Sequence, residues 1–301
     1  MTMQLCANVG PFSRLLKDEY IKYFCHTCER RAPEISRGYY ARVMGVKHLL
    51  QQFIQMTGGA CQIISLGAGY DTLYWRLCDE RTTITRFVEV DFSDVTSKKC
   101  YVIKKRKQLL QKINSEDDDI LLSRTDLHSS IYHLVAADLR NLKEFDSKLV
   151  ESQIDKSLPT LFIAECVLVY METNLSAQLL QWISDNFKTS FFINYEQVNM
   201  ADTFGTVMLR NLMGRGCELL GVDACRSLET QKQRFLLTGW NGAESLEMMQ
   251  VYKRLPQADI QRIQKLEFMD DVEVISQLFQ HYAITWAFKD AANIGLQGIA
   301  V

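Results

Sequence analysis

Five short segments rich in β-branched or aromatic residues recur along this chain: Gln62 to Leu66, Arg86 to Val90, Tyr132 to Ala136, Thr160 to Ala164 and Ser190 to Tyr195. Helical stretches separate them, and that alternation dictates an α/β fold with a mostly parallel sheet and crossover helices. Strands buried on both faces read as near-continuous apolar runs. LFIA at 161–164 and FFIN at 191–194 do so, which puts them at the sheet centre.

Two more strands, near Ile263 to Phe268 and from Ala283 to Phe288, bring the expected sheet to seven strands. Thr173 or Asn174 can cap a helix in which Leu175, Leu179, Trp182 and Ile183 share a face. A later helix places Ile275, Leu278, Phe279 and Tyr282 together. From Gln197 to about Asp259 the pattern reads as helices without strands, a helical insertion (197–259) covering the substrate end as a lid. Its Met248, Val251, Tyr252 and Leu255 stripe is expected to serve the core. No repeat and no proline-rich linker divides the 301 residues, so one domain is expected over 1–301. Lys112 to Ser130, with its Glu116 to Asp119 acidic run, reads as a solvated loop.

A net charge of -2 gives no broad positive field for nucleic acid or an anionic membrane. The segment Met1 to Leu16 builds no signal-peptide core, and Leu161 to Met171, interrupted by Glu165, is too short to span a bilayer. Nine cysteines without an export signal indicate reduced thiols and a cytoplasmic protein. Cys25 and Cys28 lack the partner ligands zinc needs and read as ordinary cysteines of a helix from Asp18 to Arg31. The basic run Lys98, Lys99, Lys104, Lys105, Arg106 and Lys107 reads as a solvated helix face.

The chemistry lies at the strand ends. The first strand runs into Gly67-Ala68-Gly69-Tyr70-Asp71-Thr72, a turn whose glycines let the backbone approach a ligand. A dinucleotide site would carry a third glycine where Thr72 stands, and Asp71 would repel a pyrophosphate, so the pattern points to a nucleoside without phosphates and against a nicotinamide dehydrogenase. Asp91 closes the second strand 24 residues after Gly67, where doubly wound folds hold ribose hydroxyls. Asp138, followed by Leu139, closes the third, placed to accept from an adenine amino group with Leu139 against the ring. Glu165 closes the fourth. Ligands of open α/β sheets bind outside the strands' carboxyl ends, so these residues converge on one crevice. Each acid alone could be a helix N-cap; four in succession point to a ligand.

Several segments resemble the leucine carboxyl methyltransferases, which methylate the C-terminal leucine of the protein phosphatase 2A catalytic subunit: APEISRGYYARV (32–43), LGAGYDTLYWRL (66–77), EVD (89–91), ADLR (137–140), AECVLVYM (164–171) and INYEQVNM (193–200). The resemblance runs from about Tyr20 to the C-terminus. It implies a Rossmann-like S-adenosylmethionine-dependent methyltransferase without a metal. Gly67 and Gly69 would lie against the cofactor, Asp91 would hold its ribose, Asp138 and Leu139 its adenine, Glu165 its amino group and Arg42 its carboxylate. Tyr170, Tyr195 and Glu196 would stand beside the substrate pocket. No acid, base or nucleophile is implied, only positioning and desolvation.

A related branch acting in tRNA wybutosine synthesis shares these motifs but carries a long C-terminal β-propeller, for which the chain beyond Gly295 leaves no room. A non-catalytic phosphatase-binding protein of the same fold is the other alternative. Family members also carry an N-terminal lysine that closes over the cofactor carboxylate. Counting back from Tyr20 puts Ala7 near that place, with Arg14 and Lys17 the cations available, so weak cofactor binding is expected.

Overall fold

The computed structural model describes residues 15–25, 32–113, 120–266 and 272–301. The first half of the chain runs α1 (Pro33–Met56), β1 (Gln62–Leu66), α2 (Leu73–Asp79), β2 (Arg86–Asp91), α3 (Ser93–Lys105), α4 (Lys107–Ile113), β3 (Leu121–Leu122), β4 (Leu127–His128), β5 (Tyr132–Ala136) and α5 (Leu142–Glu151). The second half runs β6 (Thr160–Glu165), α6 (Thr173–Asn186), β7 (Thr189–Gln197), α7 (Thr203–Met213), α8 (Leu228–Leu236), β8 (Gly242–Glu247), α9 (Met248–Arg254), α10 (Gln257–Leu266), α11 (Val272–Gln280) and β9 (Tyr282–Asp290).

These strands form one nine-stranded sheet in the order β3-β4-β5-β2-β1-β6-β7-β9-β8. The five expected early strands are its parallel centre, from β5 through β2, β1 and β6 to β7. Both β9 and β8 run antiparallel to their neighbours. The chain winds outward from β1 toward β5, then returns to lay down β6 on the other side, so the switch point of the topology falls between β1 and β6.

Alternation along each central strand sends side chains to opposite layers. Ile63, Phe87 and Phe191 pack with Leu49 and Phe53 of α1, Trp75 of α2, Val251 of α9 and Phe279 of α11. Their neighbours Ile64, Val88 and Phe192 pack with Phe145 of α5, Leu179 and Ile183 of α6, and Phe235 of α8. Each such side chain, once fully buried, contributes about 1.5–3 kcal/mol against exposure. Pro33 opens α1 at a position where its missing N–H costs nothing.

Several expectations are corrected. The nine strands include two short ones, β3 and β4, within the stretch read as a loop; its acidic run at 116–119 lies outside the described residues. The strand expected near Ile263 to Phe268 is instead α10 as far as Leu266, where Ile260 and Ile263 share a buried helical face. The missing strand is β8, inside the segment read as helices alone. It is an edge strand paired on one side, and Glu244, Ser245 and Glu247 mask its alternation. Residues 18–25 form a short 3-10 turn, Ile21–Tyr23, rather than the start of a helix through Arg31; Cys28 lies outside the described residues. Thr173 is the first residue of α6, preceded by Glu172, and no side chain caps the helix. Tyr282 opens β9 instead of closing α11.

Candidate functional site

A cavity of about 310 Å³ opens at the switch point, between the carboxyl ends of β1, β2, β5 and β6. Its floor is the turn after β1. Gly67 and Gly69 have φ of 61° and 55°, a region that penalises any side chain, so the turn is built for glycine. Ala68 N donates to Val90 O at 3.2 Å, which ties the turn to β2. Asp71 accepts from the backbone of Thr72 at 2.6 Å and Leu73 at 3.2 Å, and so ends the turn and starts α2.

At the end of β2, Asp91 has one carboxylate oxygen 2.7 Å from Gly69 N and the other 2.7 Å from Phe92 N. It therefore shapes the turn as well as facing the cavity. Asp138, after β5, pairs with Arg140, whose hydrogen bonds hold its carboxyl below the usual carboxylate range. Leu139 is buried beside it on the cavity wall. Glu165, at the end of β6, pairs with Arg42 from α1. Burial works against the Arg42 charge, but Glu165 with Cys166 and Tyr195 outweighs it and raises the guanidinium above its ordinary range. Cys166 follows at φ 56°, a left-handed conformation secured by its N–H bond of 2.7 Å to Tyr195 O.

Arg42, Gly67, Gly69, Asp91, Asp138, Leu139, Glu165 and Tyr170 thus all line one cavity. Tyr195 and Glu196 do not. The Tyr195 ring lies behind Arg42, 4.9 Å from the guanidinium, and stacks on Tyr282 at 5.2 Å. Glu196 is 1% exposed and turned into the opposite layer, where it pairs with Arg234. Strand alternation sends consecutive residues to opposite faces, which separates this pair.

Other wall residues carried no sequence signal. Phe92 and Arg76 line the cavity, Arg76 beside Asp71 at 3.4 Å. Ile21, from the segment before α1, also lines it, and Phe24 stacks on Tyr70 at 5.9 Å. Thr72 fastens that segment by donating to Asp18 at 2.5 Å. Lys17 is exposed and away from the cavity lining; Ala7 and Arg14 lie outside the described residues.

Lys99 corrects the reading of its run as a solvated face. It is wholly buried, pairs with Glu89 of β2, and donates to Asp71 O at 2.7 Å. Burial pushes the Glu89 carboxyl up, against the pull of Lys99, and Tyr132 donates to the same carboxylate at 3.0 Å. The lysine so ties β2 to the end of the glycine turn.

The donor set suits a nucleoside with a zwitterionic end: carboxylates at three strand ends, a guanidinium opposite one of them, and glycines where backbone must come close. A doubly wound sheet with such a crevice fits an S-adenosylmethionine-dependent methyltransferase. The description "Leucine carboxyl methyltransferase" belongs to the family model that matches residues 7–184, more than half of the chain. Leucine carboxyl methyltransferase 1 from Rattus norvegicus and from Bos taurus are each 45% identical to it, over 94% of this chain and 86% of theirs. A solved Thermobifida fusca structure, assigned as a methyltransferase, shares the fold with a TM-score of 0.52 at 14% identity, over 96% of this chain and 97% of that one. The chain belongs to the leucine carboxyl methyltransferase family and is a carboxyl methyltransferase. Among the described residues no helix is long and apolar enough to cross a membrane.

Proposed function

We propose that this enzyme methylates the α-carboxylate of the C-terminal leucine of the protein phosphatase 2A catalytic subunit, in the cytoplasm. One observation carries the reading: Arg42, Asp91, Asp138 and Glu165 surround one cavity in a chain 45% identical to leucine carboxyl methyltransferase 1. Cys61, Cys78, Cys100, Cys217 and Cys225 carry no disulfide, which suits a reducing compartment.

S-adenosylmethionine, when bound, supplies an activated methyl on a sulfonium. Asp91 accepts from the ribose, Asp138 and Leu139 hold the adenine, and Gly67 and Gly69 let the backbone come close. Glu165 receives the amino group and Arg42 the carboxylate, with Tyr195 fixing the Arg42 guanidinium from behind. Tyr170 stands on the acceptor side. A C-terminal carboxylate, with a pKa near ~3.5, is already ionised at neutral pH, so the protein has no proton to remove. Its task is to align the carboxylate with the methyl and exclude water from two charges that cancel during an in-line displacement. Within one domain, the part of segment 197–259 that precedes α8 would cover the acceptor end, since α8, β8 and α9 belong to the sheet and its layers.

The test is transfer of labelled methyl to the phosphatase catalytic subunit and to the same protein lacking its terminal leucine. Strong labelling of the first and little of the second is expected; equal labelling overturns the reading.

A further inference from the structure

The lining of the cavity ends at Met171, so segment 197–259 contributes no side chain to it. It nevertheless grips the part of the wall that carries Tyr170. That part is a single 3-10 turn, Leu168–Tyr170, a structure with little stability of its own. Both backbone groups of its middle residue are held from outside the turn. Val169 N donates to the Glu196 carboxylate at 2.6 Å, and Val169 O accepts from Gly221 N at 2.8 Å.

Each grip is anchored further. Glu196 is held by Arg234 of α8, whose other terminal nitrogen donates to Ser176 of α6 at 3.2 Å. A buried ion pair rarely adds net stability over an apolar replacement, so fixing geometry is the better account of this one. Gly221 has an ordinary φ of −95°, which any residue adopts. Its lack of a side chain serves the close approach instead: a Cβ there would lie 2.6 Å from Met171 O and 2.9 Å from Leu168 O. Burial, with Cys166 and Cys217 close by, raises the Tyr170 hydroxyl above the usual phenol range, and Cys217 belongs to the same 197–259 segment.

We propose that Glu196 of β7, held by Arg234, and Gly221 form a positioning clamp through which β7 and segment 197–259 together set Tyr170 and so tune recognition of the methyl acceptor without entering the cavity. The inference rests on the reading of Tyr170 as the acceptor-side wall. Glu196 acts through the turn and is a positioning residue, not a substrate contact. Two contacts, one to the N–H and one to the C=O of Val169, converge on the same three-residue turn.

The experiment uses the full chain with Gly221→Ala and with the double substitution Arg234→Met/Glu196→Leu, which removes the clamp without leaving a buried charge unpaired. Hydrogen exchange over 167–171 should rise about tenfold in both, with exchange in β6 unchanged. The KM for the phosphatase acceptor should rise about fivefold or more while the Kd for S-adenosylmethionine stays within about twofold. Unchanged exchange over the turn overturns the clamp, as does an equal loss of cofactor and acceptor affinity, which marks general destabilisation. If the parent chain labels no phosphatase, the proposed acceptor fails, while exchange and cofactor affinity still decide whether the clamp exists. Should the double variant not fold, Gly221→Ala alone gives the same readouts.

Discussion

The Arg42 guanidinium donates to the Glu165 carboxylate on the cavity wall, joining the long α1 helix to the end of β6 over 123 residues of sequence. The pair brings the two opposite charges of the proposed zwitterion site to one place, so neither residue acts independently. Arg42→Ala and Glu165→Ala should each weaken S-adenosylmethionine by about 1.5–3 kcal/mol, the worth of a charge-assisted contact. Because the residues touch, the double variant should lose less than the sum. Titration calorimetry on the three variants measures this directly; strict additivity would contradict the shared site.

Asp91 performs two tasks, and they can be separated. Asp91→Ala removes both the proposed ribose acceptor and the two backbone acceptors for Gly69 and Phe92, and should weaken the cofactor by about 1–3 kcal/mol. Asp91→Asn retains one amide oxygen and should lose less. Equal losses for the two variants by calorimetry would show that charge alone matters.

Lys99 and Glu89 form a wholly buried pair under the glycine turn. Lys99→Met strands a buried carboxylate and should destabilise the protein by about 3–5 kcal/mol, whereas Lys99→Met/Glu89→Gln should recover most of that. Urea unfolding of both variants checks the difference.

His133 of β5 is buried, and that burial, with His128 and Arg86 nearby, lowers its pKa to about 3. Burial also lowers His128, whose Nδ1 lies 3.0 Å from that of His133; Asp126, Glu151 and Lys148 face His128. Between the ordinary histidine value near ~6.5 and the lowered one, the unfolded chain binds more protons than the folded one. Stability is therefore full above ~6.5 and falls as pH drops through this window, by at most about 1.4 kcal/mol per pH unit from His133. His133→Asn should flatten the decline between pH 7 and 5 in denaturant titrations, and an unchanged slope would contradict the assignment.

What the sequence revealed follows from where the signal is strong. The central strands are buried on both faces and so read as apolar runs, and β1, β2, β5 and β6 run into a glycine or an acid that lies at the cavity. β8 escaped notice because it is an edge strand with Glu244 and Glu247 on opposite faces, which breaks the apolar–polar alternation. Lys99 hid inside a basic run, since only the fold shows that one of those lysines turns inward. Glu196 sits next to Tyr195 in sequence, yet the pleat sends the two to opposite layers, and its partner Arg234 lies 38 residues away. Contacts of this kind depend on packing between distant elements, which no local pattern encodes.

The proposed reaction puts the methyl group on a carboxylate at a chain terminus, so the decisive observable is where the methyl sits on the phosphatase. After incubation with S-adenosylmethionine, mass spectrometry of the C-terminal peptide should place one methyl on the terminal leucine α-carboxyl, and mild base should remove it as expected for an ester. A methyl that survives base, or one that maps to a side chain elsewhere in the phosphatase, would contradict the account.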